Sequence, residues 1–257
     1  MKTWLAAALL LASPAFAQDN PMQPSAIWDD LRDSVAGLTE EPPIDPAALD
    51  LDAPVRANDA ALVPIRLTQA ADAPPLSDLT LVIDQNPAPV AAEYSFGPAL
   101  MPLDFEVRVR VNAYSDVRAI GTQAGGGKVM AGRFVKASGG CSAPAGKDMA
   151  TVEALMGQMR WKTAQQDGRQ IGTLMIRHPM FSGLQRDQVT LLNIPAMFID
   201  RLEVRQGDEL LFSMQAGISV SEDPVFRFAY QPNGQPISVR AEDVDGNLWN
   251  QTFEAAG

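Results

Sequence analysis

Leu103-Asp104-Phe105-Glu106-Val107-Arg108-Val109-Arg110-Val111 decides how this chain folds. Phe105, Val107, Val109 and Val111 fall on one face of an extended backbone, and Glu106, Arg108 and Arg110 fall on the other. That period of two is the mark of a half-buried β-strand. The same period holds through its neighbours. Leu62 to Leu67 reads as a strand whose Pro64 places it at an edge. Leu79, Leu81 and Ile83 alternate in another, stopped by Asp84-Gln85-Asn86-Pro87. Val90 to Phe96 ends at Gly97-Pro98. Tyr114 to Ile120 and Lys128 to Val135 flank the turn Gly125-Gly126-Gly127. Short strands at this spacing, with no helices between them, predict an antiparallel sandwich.

Beyond residue 148 the pattern recurs. Asp148 to Met159 reads as a helix or structured linker. Hairpin signals then sit at Gln166-Asp167-Gly168, Gln206-Gly207-Asp208-Glu209 and Pro232-Asn233-Gly234, and Asp245-Gly246-Asn247 precedes a last strand, Leu248 to Phe253. The fold class is therefore all-β: two antiparallel β-sandwich domains, with no internal repeat visible between them. A short helix precedes them. Pro24-Ser25 opens it, Ile27, Leu31 and Val35 recur at spacing four, and Leu38 completes the stripe. The proline-rich stretch from Glu40 to Pro46 reads as an extended connector.

The first residues carry an address. Met1-Lys2-Thr3 is basic, Trp4 to Ala12 is apolar, and Ala15-Phe16-Ala17 is an A-x-A cleavage signature, which together read as a secretory signal peptide over residues 1–17. The expected location is the periplasm. The formal net charge of −11 argues against nucleic acid, whose binding rests on basic patches, and against anionic membranes.

Catalytic signatures fail on inspection. Gly125-Gly126-Gly127-Lys128 lacks the phosphate-loop spacing, and Val129 stands where Ser or Thr must bind magnesium. In Asp243-x-Asp245-Gly246 the first ligand of a calcium loop would be Ala241 and the bidentate glutamate Thr252, so the coordination sphere is missing. His178 is the only histidine and has no second histidine or cysteine partner for zinc beyond Cys141. A Cys141–His178 nucleophilic pair needs only spatial proximity, but a fixed geometry as well. The sequence reads as a protein without catalysis of its own, and without a metal or cofactor.

Cys141, the only cysteine, lies in Lys136-Ala137-Ser138-Gly139-Gly140-Cys141-Ser142-Ala143-Pro144-Ala145-Gly146-Lys147. A free cysteine is commonly a small buried hydrophobe. Here the flanking Gly139, Gly140 and Ser142 predict instead a flexible arm that presents the thiol. In an oxidising compartment a lone thiol is a reactive group or an intermolecular disulfide, which would give a disulfide-linked homodimer.

Several strings resemble a known family. Val82 to Ala92 with Phe96-Gly97-Pro98, Arg108-Val109-Arg110, Ser115 to Ala119 and the run ending at Gly139-Gly140-Cys141 resemble the sulfur-carrier subunit SoxY. Met175 to Met180, Gly183-Leu184, Ile194 to Ile199 and, more loosely, Ser219 to Pro224 resemble its partner SoxZ. The chain is thus similar to a SoxY–SoxZ fusion, with a SoxY-like domain over 18–146 and a SoxZ-like domain over 147–257. The resemblance implies immunoglobulin-like sandwiches and a periplasmic covalent carrier of thiosulfate-derived sulfur, attached at Cys141. It implies as partners a haem cytochrome that joins thiosulfate to the thiol, a manganese-dependent thiohydrolase and a sulfane dehydrogenase. In the family the cysteine sits near a free C-terminus, whereas here a second domain follows, so the arm is tethered at both ends. The likeness extends to fused SoxYZ-like proteins associated with quinoprotein (PQQ) alcohol dehydrogenases, for which a non-catalytic accessory role is the alternative expectation.

Overall fold

A computed structural model describes residues 20–144, 149–188 and 190–255; residues 1–17, read above as a signal peptide, lie outside them. The first half contributes a helix α1 (Ala26–Ala36) and strands β1 (Asp50–Asp52), β2 (Val63–Thr68), β3 (Leu76–Ile83), β4 (Val90–Phe96), β5 (Asp104–Val109), β6 (Ser115–Gln123) and β7 (Lys128–Val135). A short helix α2 (Met149–Leu155) leads into β8 (Met159–Gln166), β9 (Arg169–Ile176), β10 (Ile199–Gln206), β11 (Glu209–Ala216), β12 (Val225–Tyr230), β13 (Ile237–Asp243) and β14 (Leu248–Phe253). The alternation of apolar side chains places these strands where the sequence predicts them. Only β1, three residues long, has no counterpart among the expected elements, because so short a strand shows no period.

Each half is an immunoglobulin-like sandwich of four strands over three, the strand count of a constant-type domain. The half-sandwiches do not stand apart. Their sheets join edge to edge into one eight-stranded sheet, β14-β13-β10-β11-β4-β3-β6-β7, and one six-stranded sheet, β1-β2-β5-β12-β9-β8. At the seam β4 pairs antiparallel with β11 from Phe96↔Phe212 to Ala92↔Ala216, and β5 pairs with β12 through Phe105↔Phe228 and Glu106↔Arg227. The strand plan of the first half, β1 to β7, repeats in β8 to β14, and β4 and β5 each pair with their own counterpart. That is the geometry of a two-fold symmetric dimer, within one chain. The repeat is invisible in the sequence because it resides in connectivity, not in matching residues.

One apolar core runs through both halves. Phe105 of β5 meets Phe212 of β11 edge to face at 5.2 Å and stacks on Phe228 of β12 at 6.2 Å, while Tyr94 of β4 packs at 5.2 Å. Arg169, at the start of β9, donates to the carbonyls of Leu100 and Pro102 across the seam, and to Ala229. β2 is not the edge strand that Pro64 predicts, since β1 and β5 flank it; the proline is tolerated because β1 pairs only with Arg66 to Thr68, leaving it beyond that strand's reach.

Two expectations need correction. In α1 the buried residue is Trp28, not Ile27, which is exposed; Trp28 lies over the Arg118 guanidinium at 4.4 Å. Ser25 caps the helix by accepting from the Trp28 amide, and Gly37 ends it in the left-handed conformation. Arg110, expected on a solvent face, is buried.

Candidate functional site

The chain leaves β7 and turns under the end of the seam. Gly139 adopts φ 77°, a left-handed conformation open to glycine, and its amide donates to the Asn112 carbonyl at 2.8 Å. Gly140 donates to the Val111 carbonyl at 3.2 Å. A Cβ on Gly140 would lie 2.1 Å from the Ala60 carbonyl oxygen, so the close approach admits only glycine. Gly140 to Ser142 then form one 3-10 turn.

Cys141 sits in that turn with 0% exposure, although Ser142 beside it is exposed. The expected flexible arm is therefore not observed at Gly139, Gly140, Cys141 and Ser142. The same glycines that suggest mobility are used for a tight turn and a close backbone contact. Ala145 to Lys147 lie outside the described residues.

The second half holds this turn down. Ser182 Oγ donates to the Cys141 carbonyl at 2.5 Å, and Gln185 Oε1 accepts from the Ser182 amide at 2.9 Å and faces its hydroxyl at 3.3 Å. From the first half, Arg110 donates to the Gly140 carbonyl at 3.2 Å and reaches the Met180 carbonyl at 3.4 Å. Asn86, read from sequence as part of a strand-ending turn, is buried and bridges the Arg110 carbonyl and Ser219 Oγ at 2.7 and 2.8 Å. We call the Met180–Gln185 segment the clasp.

His178 anchors the clasp from behind. Its Nδ1 accepts the Met180 amide at 3.1 Å, so the ring proton resides on Nε2, which faces Asp243 Oδ2 at 3.4 Å. Trp249 packs edge-on to the ring at 5.6 Å. His178 and Asp243 are both buried, and burial holds the His178 pKa below its ordinary value despite Asp243. His178 is thus a neutral structural residue. It is not joined to the thiol as a base, and no Cys141–His178 hydrogen bond occurs.

Burial also sets the chemistry of the sulfur. It pushes the Cys141 thiol up to about 11, with Arg110 opposing the rise. Arg110 carries no carboxylate ion pair among the described residues, and its Nε has no hydrogen-bond partner. Burial pulls its pKa down, offset by Glu222, then Cys141 and Asp59. In this closed state Cys141 is a poor nucleophile. Four hydrogen bonds hold the turn, through Gly139, Gly140, Arg110 and Ser182. At about 1 kcal/mol each, opening costs on the order of 4 kcal/mol, which exposes the thiol about one time in a thousand.

Arg110, Ser182, Gln185 and Asn86 escape sequence reasoning. Only Asn86 and Arg110 fall in strings that carry the family resemblance, and neither string says which atoms meet. An open concavity of about 650 Å³ crosses the seam on the outer face of the long sheet, between Glu93, Arg201, Glu203 and Arg240, and does not border Cys141.

The fold and this site define a double sandwich in which one half shelters a single thiol of the other. Residues 35–141 match the family described as sulfur oxidation protein SoxY, and residues 159–254 match that of sulphur oxidation protein SoxZ. The chain belongs to both families, as a SoxY–SoxZ fusion. The SoxY match ends on Cys141 itself. No curated protein matches the chain. Among solved structures it is similar to the sulfur carrier protein SoxY from Chlorobium limicola f thiosulfatophilum, at 26% identity over 42% of this chain and 96% of that one, with a TM-score of 0.35.

Proposed function

We propose that this protein is a periplasmic carrier that receives thiosulfate-derived sulfur on Cys141 and offers it to partner enzymes when the clasp opens. One observation carries the reading: the only thiol of the chain falls on the last residue of the SoxY match, at the junction with its SoxZ half. Loading joins the sulfane sulfur of thiosulfate to Cys141 Sγ. The thiol loses its proton, and two electrons pass to a haem cytochrome, leaving the thiosulfonate Cys141 Sγ–S–SO3⁻. A thiohydrolase then releases sulfate, and a sulfane dehydrogenase oxidises the remaining sulfur. The chain itself holds cargo and does not catalyse these steps. Residues 1–17 supply the export signal for this location.

Burial of Cys141 bears on the other expectations. A disulfide-linked homodimer requires the same opening as loading does, twice over. The shelter also favours a second reading, in which the thiol is structural and the protein is a non-catalytic accessory of a quinoprotein (PQQ) alcohol dehydrogenase. Intact-mass measurement on protein isolated from periplasm separates them. A carrier shows reductant-sensitive sulfur or thiosulfonate adducts that Cys141→Ser abolishes. A uniformly unmodified thiol from cells oxidising thiosulfate would sink the carrier reading.

A further inference from the structure

The segment that carries the clasp also carries apolar surface. Leu191 and Leu192 are 68% and 69% exposed, and Leu184 is 39% exposed. Single exposed leucines are ordinary, but these three belong to one segment, the one whose Ser182 holds the Cys141 carbonyl. Backbone pairings tie the described residues of the loop together. Phe181 bridges Met197, Arg186 bridges Asn193, and the Leu191 amide donates to the Asp187 carbonyl at 2.9 Å. Leu191 holds φ 59°, a left-handed conformation uncommon for leucine.

The patch is wired to the clasp. The Ile194 amide donates to the Gln185 carbonyl at 2.9 Å. The Gln185 side chain holds the Ser182 amide, and Ser182 holds the Cys141 carbonyl. Gln185 is fully buried, with its Nε2 unpartnered.

We propose that the apolar turn at Leu184, Leu191 and Leu192 is the docking surface for the protein enzyme that acts on Cys141, and that docking there draws Ser182 off the Cys141 carbonyl. This rests on the carrier reading above. The occupant follows from position: an enzyme reaching this sulfur must cover the loop whose Ser182 lies on it. The fitting partner has a shallow apolar recess beside its active-site entrance. A basic rim would suit a chain of net charge −11.

The test uses the full mature chain and two loading reactions read by intact mass. Tetrathionate needs no docking: Cys141 Sγ attacks one sulfane sulfur, the central S–S bond breaks, and thiosulfate and a proton leave, giving Cys141 Sγ–S–SO3⁻. Thiosulfate with a purified, oxidised thiosulfate-conjugating haem cytochrome gives the same product, with the two electrons on the haem. The double variant Leu191→Asp/Leu192→Asp alters exposed residues only, and aspartate tolerates the left-handed conformation better than leucine. It should react with tetrathionate at the wild-type rate. With limiting cytochrome it should load about thirtyfold more slowly, the scale of losing a hot-spot contact. Ser182→Ala should speed the tetrathionate reaction about fivefold, the worth of one hydrogen bond.

Equal cytochrome-driven rates for wild type and double variant would overturn the docking proposal while leaving the carrier reading intact. Failure of the cytochrome to load wild type or Ser182→Ala, while tetrathionate modifies both, would strike the carrier reading instead. A wild-type dimer made monomeric by the double variant would assign the patch to a second copy and overturn the proposal. So would flotation with phosphatidylcholine–phosphatidylglycerol vesicles that the variant loses, which would assign it to lipid.

Discussion

At Cys141 burial opposes the thiolate and Arg110 offsets only part of that cost, so the proton is held up to about 11. Reaction must pass through the opened turn. Alkylation by iodoacetamide at pH 8 should therefore run about a thousandfold slower in the native protein than in guanidinium, the ratio expected for about 4 kcal/mol of opening. A native rate within tenfold of the unfolded one would show that the turn is not held. At His178 the argument concerns acid. Its folded pKa lies below 6.5 because burial disfavours imidazolium. Below that pH the unfolded chain takes up a proton that the native ring refuses. The stabilisation is present above about 6.5 and declines as pH falls through that value. Protonated Nδ1 could no longer accept the Met180 amide. Urea midpoints should thus drop between pH 7.5 and 5.5 in the wild type, and drop less in His178→Gln.

Among the elements, α1 and the segment before it are pinned to the first sandwich by buried charge. Arg118 on β6 contacts Asp84 and Asp116 at 3.0 and 3.1 Å, and Asp116 accepts the Gln23 amide at 3.0 Å. Burial raises the pKa of both carboxyls, more than the Arg118 charge restores. Removing one member of such a network leaves the others unpaired. Arg118→Met should cost about 3–5 kcal/mol and speed amide exchange across residues 20–38, where Trp28 loses its cation. Unchanged exchange there would contradict this pinning. The strands themselves were legible, since alternation such as Phe105, Val107, Val109 needs no knowledge of the partner. Edges were not. Nothing local in Ala92 to Phe96 says that this strand ends one half and also continues into the other. The thiol was misjudged for a related reason: Gly139-Gly140 is equally compatible with a loose arm and with a turn so tight that only glycine fits. What separates them is Ala60, Val111 and Ser182, far away in sequence.

On the scale of the whole molecule, the seam makes the two halves one folding unit. Phe105 touches Tyr94 and Phe96 in its own half and Phe212, Phe226 and Phe228 in the other. Phe105→Ala should cost about 3–5 kcal/mol. Far-ultraviolet and tryptophan signals from Trp28 in the first half and Trp161 and Trp249 in the second should then fall in one shared, lowered transition. Two resolved transitions would show that the halves fold independently.

The edge-to-edge joining of β4 to β11 has a further consequence, because both strands belong to one polypeptide. A separate cover could be lost by dilution, and its occupancy would follow how much of each component the cell makes. A tethered cover arrives in equal amount with every thiol, and closing it is an intramolecular event. The sheltering of Cys141 should accordingly be the same at nanomolar as at millimolar protein.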